Sequence, residues 1–195
     1  DKWDGSRIDL SISSNAAREN QITFYSSITD INNFGTVNFN GEVQLWKNTF
    51  SSYSSIRRCK FNFFDAKNNN FGKELILENC DFLDSCNFEN AQNENVTSLK
   101  IEKCNFNKYV YFDNANIYSL LIESSFFKEI ISFQDATFNK IKFNRTHFEK
   151  IAFFSNINII SKTDLDLNTV RTIKAQLLKT ENKIVKAQKN SIFNA

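Results

Sequence analysis

The segment Thr137 to Phe154, TFNKIKFNRTHFEKIAFF, sets Phe138, Phe143, Phe148 and Phe153 at intervals of five. An α-helix returns its apolar face every 3.6 residues and a strand every 2, so neither element alone produces this spacing. Traced backward from Phe148, steps of five reach Phe143, Phe138 and Phe133, and a step of six reaches Phe127. The round before it, Ile122, Ile117, Phe112 and Phe106, takes the same steps, so 21 residues separate Phe106 from Phe127, Phe112 from Phe133 and Ile117 from Phe138. Each step has an inner grammar, a smaller residue two places before the large one with a mostly polar residue between: Cys59-Lys60-Phe61, Cys80-Asp81-Phe82, Cys104-Asn105-Phe106, Ala136-Thr137-Phe138, Thr146-His147-Phe148. Residues two apart in an extended segment point to one side and the residue between them to the other. Four such segments joined by corners close a square that rises by about 4.8 Å, one strand spacing, and stacks Phe upon Phe.

Earlier rounds fit with small changes of length. Cys80, Phe82, Cys86, Phe88 and Ala91 correspond to Cys104, Phe106, Val110, Phe112 and Ala115 at a shift of 24, which puts three extra residues inside QNENVTS. Ser54, Ile56, Cys59 and Phe61 map onto Leu75, Leu77, Cys80 and Phe82 at 21, Val37 and Phe39 onto Cys59 and Phe61 at 22, and Ile22 and Phe24 lie 21 before Val43 and Leu45. The pattern predicts an all-β solenoid, a four-sided parallel β-helix of five or six coils over residues 37–160. Such coils satisfy their backbone groups with the coils above and below, without hairpins.

These residues resemble the pentapeptide-repeat family, whose motif is a small residue, Asn or Asp, Leu or Phe, and two variable positions. The resemblance spans about two thirds of the chain and implies a right-handed quadrilateral β-helix, a bacterial source and a non-enzymatic, protein-interaction role. Leu75, Leu99, Leu120 and Ile141 are larger than the family's usual Ala or Cys, and one step per round has six residues, so one side is expected to be bulged or wider; a three-sided β-helix is the alternative.

A stack of coils leaves an unpaired edge at each end, and each needs a cap. Residues 1–36 read as an N-terminal cap and irregular first coil, with a short helix over residues 13–20, SSNAAREN. After Ile160 phenylalanine almost vanishes, and residues 161–195 read as a C-terminal helical cap or tail, as one helix or as two broken near Glu181-Asn182. Val170, Ile173, Leu177, Ile184 and Ile192 can share a stripe at helical spacing, and TDLD ahead of them offers N-cap oxygens. This segment also resembles the helical tail that follows the repeats in many bacterial pentapeptide proteins and sometimes leads into membrane spans. Membrane association is expected only if a segment beyond Ala195 spans, which would make the chain the soluble domain of a membrane-associated protein.

Composition adds a constraint on the corners. Against 28 Asn and 21 Phe there are four Gly and no Pro, so left-handed corner positions fall to Asn rather than to the glycines of hairpin turns. The chain has no Met, which suggests a trimmed or processed product, and no apolar run approaches the length of a spanning helix. Net charge is +2, with 24 basic and 22 acidic residues, so no strong field draws in a polyanion.

Candidate chemistry is sparse. Cys59, Cys80 and Cys104 share one column and Cys86 lies on the next face; their spacings match no zinc pair, and each sits in the small-residue slot, which reads as reduced core thiols and fits the cytoplasm. His147, the single histidine, falls in an outward slot without a catalytic partner, and there is no glycine-rich phosphate loop, HExxH or GxSxG. No enzyme, cofactor, metal site or small-molecule substrate is expected. Outward slots should be polar, yet the register puts Tyr111, Phe126 and Phe153 there on two adjoining faces, and Ile76 and Leu121 outward on a third. Clustered exposed apolar groups mark partner surfaces, and the competing reading is that the chain itself covers them.

The expected partner is another protein, with a homodimer through the C-terminal helix or a coil end as one form. A second reading is a DNA mimic that binds or protects a type II topoisomerase, as some members of the resembled family do; it needs an acidic rod, whereas Lys60, Lys100, Lys142 and His147 take outward slots. Direct nucleic-acid binding through Arg57, Arg58 and the lysines ranks lowest.

Overall fold

A computed structural model describes residues 8–13, 17–18, 22–25, 29–35, 38–47, 49–50, 53–92, 98–161 and 165–193, with the side chains of those from 39 to 181 other than 40, 41, 49 and 50. Every strand pairing is parallel, and the architecture is a four-sided β-solenoid. Five coils run from residue 54 to residue 161, and strands from Ile8–Ser13 onward pair in parallel beneath them. In one coil the inward residues are Leu75 and Leu77 on the first side, Cys80 and Phe82 on the second, Cys86 and Phe88 on the third, and Ala91 on the fourth. The register follows the spacings of the sequence. Leu75 pairs with Ser54 and Leu120 with Ile141 at shifts of 21, while Leu75 pairs with Leu99 at 24, so the extra residues of QNENVTS fall between Gln92 of the fourth side and Ser98 of the first, outside the described residues. Phe39 lies beside Phe61 at 22, and Ile22 beside Val43 at 21; Val37 lies outside the described residues.

The core is the predicted column of rings. Phe82 and Phe106 stack with centroids 4.6 Å apart, Phe106 and Phe127 at 4.7 Å, and Phe127 and Phe148 at 5.3 Å, close to the rise of one coil. Phe39 and Phe61 extend the column downward. A second column, Phe88, Phe112, Phe133 and Phe154, fills the third side. The interval of five therefore ends at Phe148: the next step takes six residues, Phe154 is the buried ring, and Phe153 is its outward neighbour. The extra residue sits at the corner between the second and third sides, and the broad first side accommodates its two large inward residues, such as Leu99 and Ile101, side by side.

Two opposite corners turn through left-handed residues. Asn68, Asn90, Asn114, Asp135 and Asn156 take the corner between the third and fourth sides, where Ala91, Ala115 and Ala136 N–H donate to the carbonyls of Phe88, Phe112 and Phe133, the closure of a tight turn with positive φ at its third residue. Arg58, Asn79, Lys103, Ser124 and Arg145 take the corner between the first and second, with φ between 48° and 54°. Asn is thus the usual choice at one corner only; the other tolerates Lys, Arg and Ser.

That second group of corners is closed by side chains. The Cys80 thiol donates to Glu78 O at 3.4 Å and Ile56 O at 3.5 Å, the Cys104 thiol to Glu102 O at 3.3 Å and Leu77 O at 3.4 Å, and the Ser125 hydroxyl to Glu123 O at 2.8 Å and Ile101 O at 3.4 Å. Thr146 repeats the pattern one coil higher. The small slot here selects a donor as well as a volume.

Helix α1 (Leu167–Phe193) closes the upper end as a single element, unbroken at Glu181-Asn182. Asp166 caps it by accepting from Thr169 N at 2.8 Å. Thr169 and Gln176 are buried against the last coil: Thr169 Oγ1 accepts from Phe143 N at 2.9 Å, and Gln176 Oε1 accepts from Ala152 N at 3.2 Å. Seven helical residues rise by about 10 Å, the usual separation of packed sheets, so these two acceptors reach the opposed first and third sides. In the coil below, Ile131 N, the equivalent of Ala152 N, donates to Ile151 O; Gln176 supplies the acceptor that a further coil would have provided. The predicted stripe is corrected accordingly: Ile173 packs on the core, but Val170 and Leu177 face solvent, and Ile184 and Ile192 lie beyond the described side chains. At the other end Ala17–Arg18 is a strand paired with Asn38 and Phe39 in place of the helix expected there, and residues 14–16 and 19–20 lie outside the described residues.

Candidate partner surface

Side chains that leave the core do so in columns fixed by the register. On the second side the outward column reads Lys60, Asp81, Asn105, Phe126, His147, and on the third Asp65, Asn87, Tyr111, Ser132, Phe153, of which Asp65 and Ser132 are buried. The structure thus places Tyr111, Phe126 and Phe153 on adjoining sides around one edge. Phe126 is 36% exposed and stacks on His147 with centroids 5.0 Å apart, the arrangement that gives this histidine a neighbour. Tyr111 is half-buried beside Tyr109, with ring centroids 6.3 Å apart, and Phe153 is half-buried below α1. Burial foremost, then Tyr109, Glu89 and Asp113, pushes the Tyr111 phenol above its usual range, so it stays a neutral hydrogen-bond donor.

The edge between these sides carries more than the outward slots predicted. Leu83 and Tyr109, 39% and 42% exposed, project from the corner, and Ile130 one coil above Tyr109 is half-buried. They occupy the positions opened by the six-residue step, where no inward or outward alternation applies, which is why the grammar of the sequence passes over them. The signal was the extra residue itself, placed repeatedly at one corner. Exposed Asp84, Lys108, Lys128, Glu149 and Lys150 rim the apolar band with both signs of charge.

Ile76 and Leu121 are not part of this edge. They lie on the first side in the column Ser55, Ile76, Lys100, Leu121, Lys142, each half-buried and with Lys100 in register between them. Lys100 Nζ contacts Glu74 Oε1 at 2.7 Å. Burial raises the Glu74 pKa, but hydrogen bonds from Lys100 and Ser98 outweigh it and hold the carboxyl below its usual value.

Charge of both signs stands on the first and second sides. The column Arg57, Glu78, Glu102, Glu123, Asn144 runs beside the corner column Arg58, Asn79, Lys103, Ser124, Arg145, which holds three cations. Arg57 Nε pairs with Glu78 Oε2 at 3.1 Å, and Asn144 donates to Glu123 Oε1 at 2.8 Å. The four cysteines are buried and unbridged. Among the described residues no group of three or more His, Cys, Asp and Glu converges to hold a metal ion, and no helix is long and apolar enough to cross a membrane. Comparison with family models, with curated proteins and with solved structures finds no match for this chain.

Proposed function

We propose that the protein is a non-enzymatic scaffold of the pentapeptide-repeat type, working in the cytoplasm as a rigid rod that presents the edge between its second and third sides to a protein partner. The observation that carries this reading is the band Leu83, Tyr109, Tyr111, Phe126 and Phe153, apolar or aromatic side chains in corner and outward positions where solvation favours polar ones. Aromatic side chains bury large area at little entropic cost and are the usual centre of a protein interface, and the mixed-charge rim around them suits specificity. Stacked rings and parallel ladders hold these groups at fixed spacing, so the surface is preorganised. Phosphate recognition and DNA mimicry both call for one sign of charge along a face, and the paired Glu and Arg/Lys columns favour neither. A photo-crosslinking residue at position 126 or 111 is expected to trap a discrete protein partner in cells, while the same residue at position 116, within the Asn- and Gln-rich column of the fourth side, traps none. Equal trapping at all three positions removes the assignment.

A further inference from the structure

α1 carries two chemistries that capping the solenoid does not use. Thr169, Ile173 and Gln176 face the last coil, while Leu167, Val170, Leu177 and Leu178 are 61%, 42%, 43% and 51% exposed. At about 100° per residue these four aliphatic side chains fall within an arc of about 100° on the free part of the helix. The second chemistry is charge. Residues 167–193 hold six basic residues and one acidic, a net of +5, and the remaining 18 basic and 21 acidic residues leave the rest of the chain at −3. Arg171, Lys174 and Lys179 are exposed, Lys174 within the apolar arc and Arg171 at its border.

We propose that this outer face of α1 binds the surface of an anionic lipid bilayer, with Leu167, Val170, Leu177 and Leu178 entering the headgroup boundary and Arg171 and Lys174 on the lipid phosphates. Charge decides the occupant. A second copy docked on the same stripe sets +5 against +5, whereas an anionic bilayer offers a plane of negative charge directly over an apolar layer, the match for a basic helix with an aliphatic stripe. A helix of 27 residues, about 40 Å long, lies along such a surface without leaving the solenoid, because the arc that caps the last coil is a different one. The inference is independent of the aromatic edge, which stays free to take a protein while the rod is held at the membrane.

Sedimentation of the full chain with vesicles tests it. Binding is expected to vesicles of phosphatidylcholine with about one third phosphatidylglycerol, and to fall at least about tenfold in pure phosphatidylcholine or at about 0.5 M salt. Leu177→Glu with Leu178→Glu, and separately Arg171→Gln and Lys174→Gln together, are expected to lower it by a similar factor with little change in the thermal unfolding midpoint, since all four side chains are exposed. Failure of the folded protein to sediment, equal binding to both lipids, or full binding by both variants overturns the proposal. So do two other occupants: a dimer by light scattering that the leucine variant dissolves, without vesicle binding, gives the stripe to a second copy, and retention on polyglutamate beads without vesicle binding gives it to an acidic protein.

Discussion

At the scale of single residues, the slot after the first corner shows how a repeat position selects chemistry as well as size. Cys59, Cys80, Cys104, Ser125 and Thr146 differ in volume and polarity, yet each donates to the carbonyl two residues earlier, and the last four donate also to the coil below. Ser125 further accepts from Cys104 N at 3.1 Å. Ser125→Val keeps the packing close but orphans that buried N–H, and is expected to destabilise the protein by about 1–3 kcal/mol. Ser125→Cys, the residue of the coils below, should cost under about 1 kcal/mol. Urea unfolding of the two variants checks the difference, and equal losses would mean that volume alone governs the slot. Part of this was legible in the chain: Cys, Ser and Thr in one column announce a small buried position. That they share a donor was not, because a thiol in a buried apolar slot reads equally as a hydrophobe.

At the scale of elements, the repeat fixes its strands far better than its ends. Shifts of 21, 22 and 24 read from the phenylalanines are the strand registers of the structure, because a ring stacked on a ring in the next coil enforces the spacing. The helix was visible as an amphipathic stretch with an N-cap, but not the way it faces. Apolar periodicity selects the aliphatic stripe, whereas the coil edge it covers presents unpaired N–H groups and therefore takes Thr169 and Gln176, with Ile173 between them. The end of a solenoid is polar backbone, and polar side chains cap it. Gln176→Leu leaves Ala152 N buried without an acceptor, and is expected to lower unfolding free energy by about 1–3 kcal/mol, while Leu177→Gln next to it, exposed, changes it by less than about 0.5 kcal/mol. Denaturant titration of both variants decides whether the cap works through hydrogen bonds or through apolar cover, since in the second case Leu at position 176 would stabilise. The edge between the second and third sides was half legible for a related reason: alternation identifies outward Tyr111, Phe126 and Phe153, but Leu83 and Tyr109 stand at a bulged corner, where alternation lapses.

At the scale of the whole molecule, one continuous core joins titrating groups from several coils to a single unfolding equilibrium. Cys80 is pushed well up, foremost by its hydrogen bond with Cys104 and then by burial, against the opposing influence of Cys59. Cys86 is pushed up by burial, then by Asp65 and Cys80, and Tyr111 is raised by burial, Tyr109, Glu89 and Asp113. All three shifts have the same sign. A raised folded-state pKa means that the folded chain holds its proton more tightly than the unfolded chain, so the contribution to stability is complete below the unfolded pKa and is lost as pH rises above it. Unfolded thiols ionise near about 8.5 and phenols near about 10. The urea midpoint is therefore expected to hold to about pH 8 and then to fall steadily through pH 10, with Cys86→Ala flattening the first part of the decline although it lowers the midpoint at neutral pH. Glu74 contributes in the opposite direction: its lowered pKa gives stability that is present above about 4.5 and lost as pH falls below it, and Lys100→Met should blunt that acid limb. Alkylation by iodoacetamide supplies an independent reading of the same core. With every cysteine buried, labelling at pH 8 should be negligible in buffer and complete in denaturant, and its onset should follow the urea curve at each pH. Labelling that begins before unfolding would place the thiols at a local opening of the coils, and the alkaline decline would then belong to that opening and not to the cooperative stack.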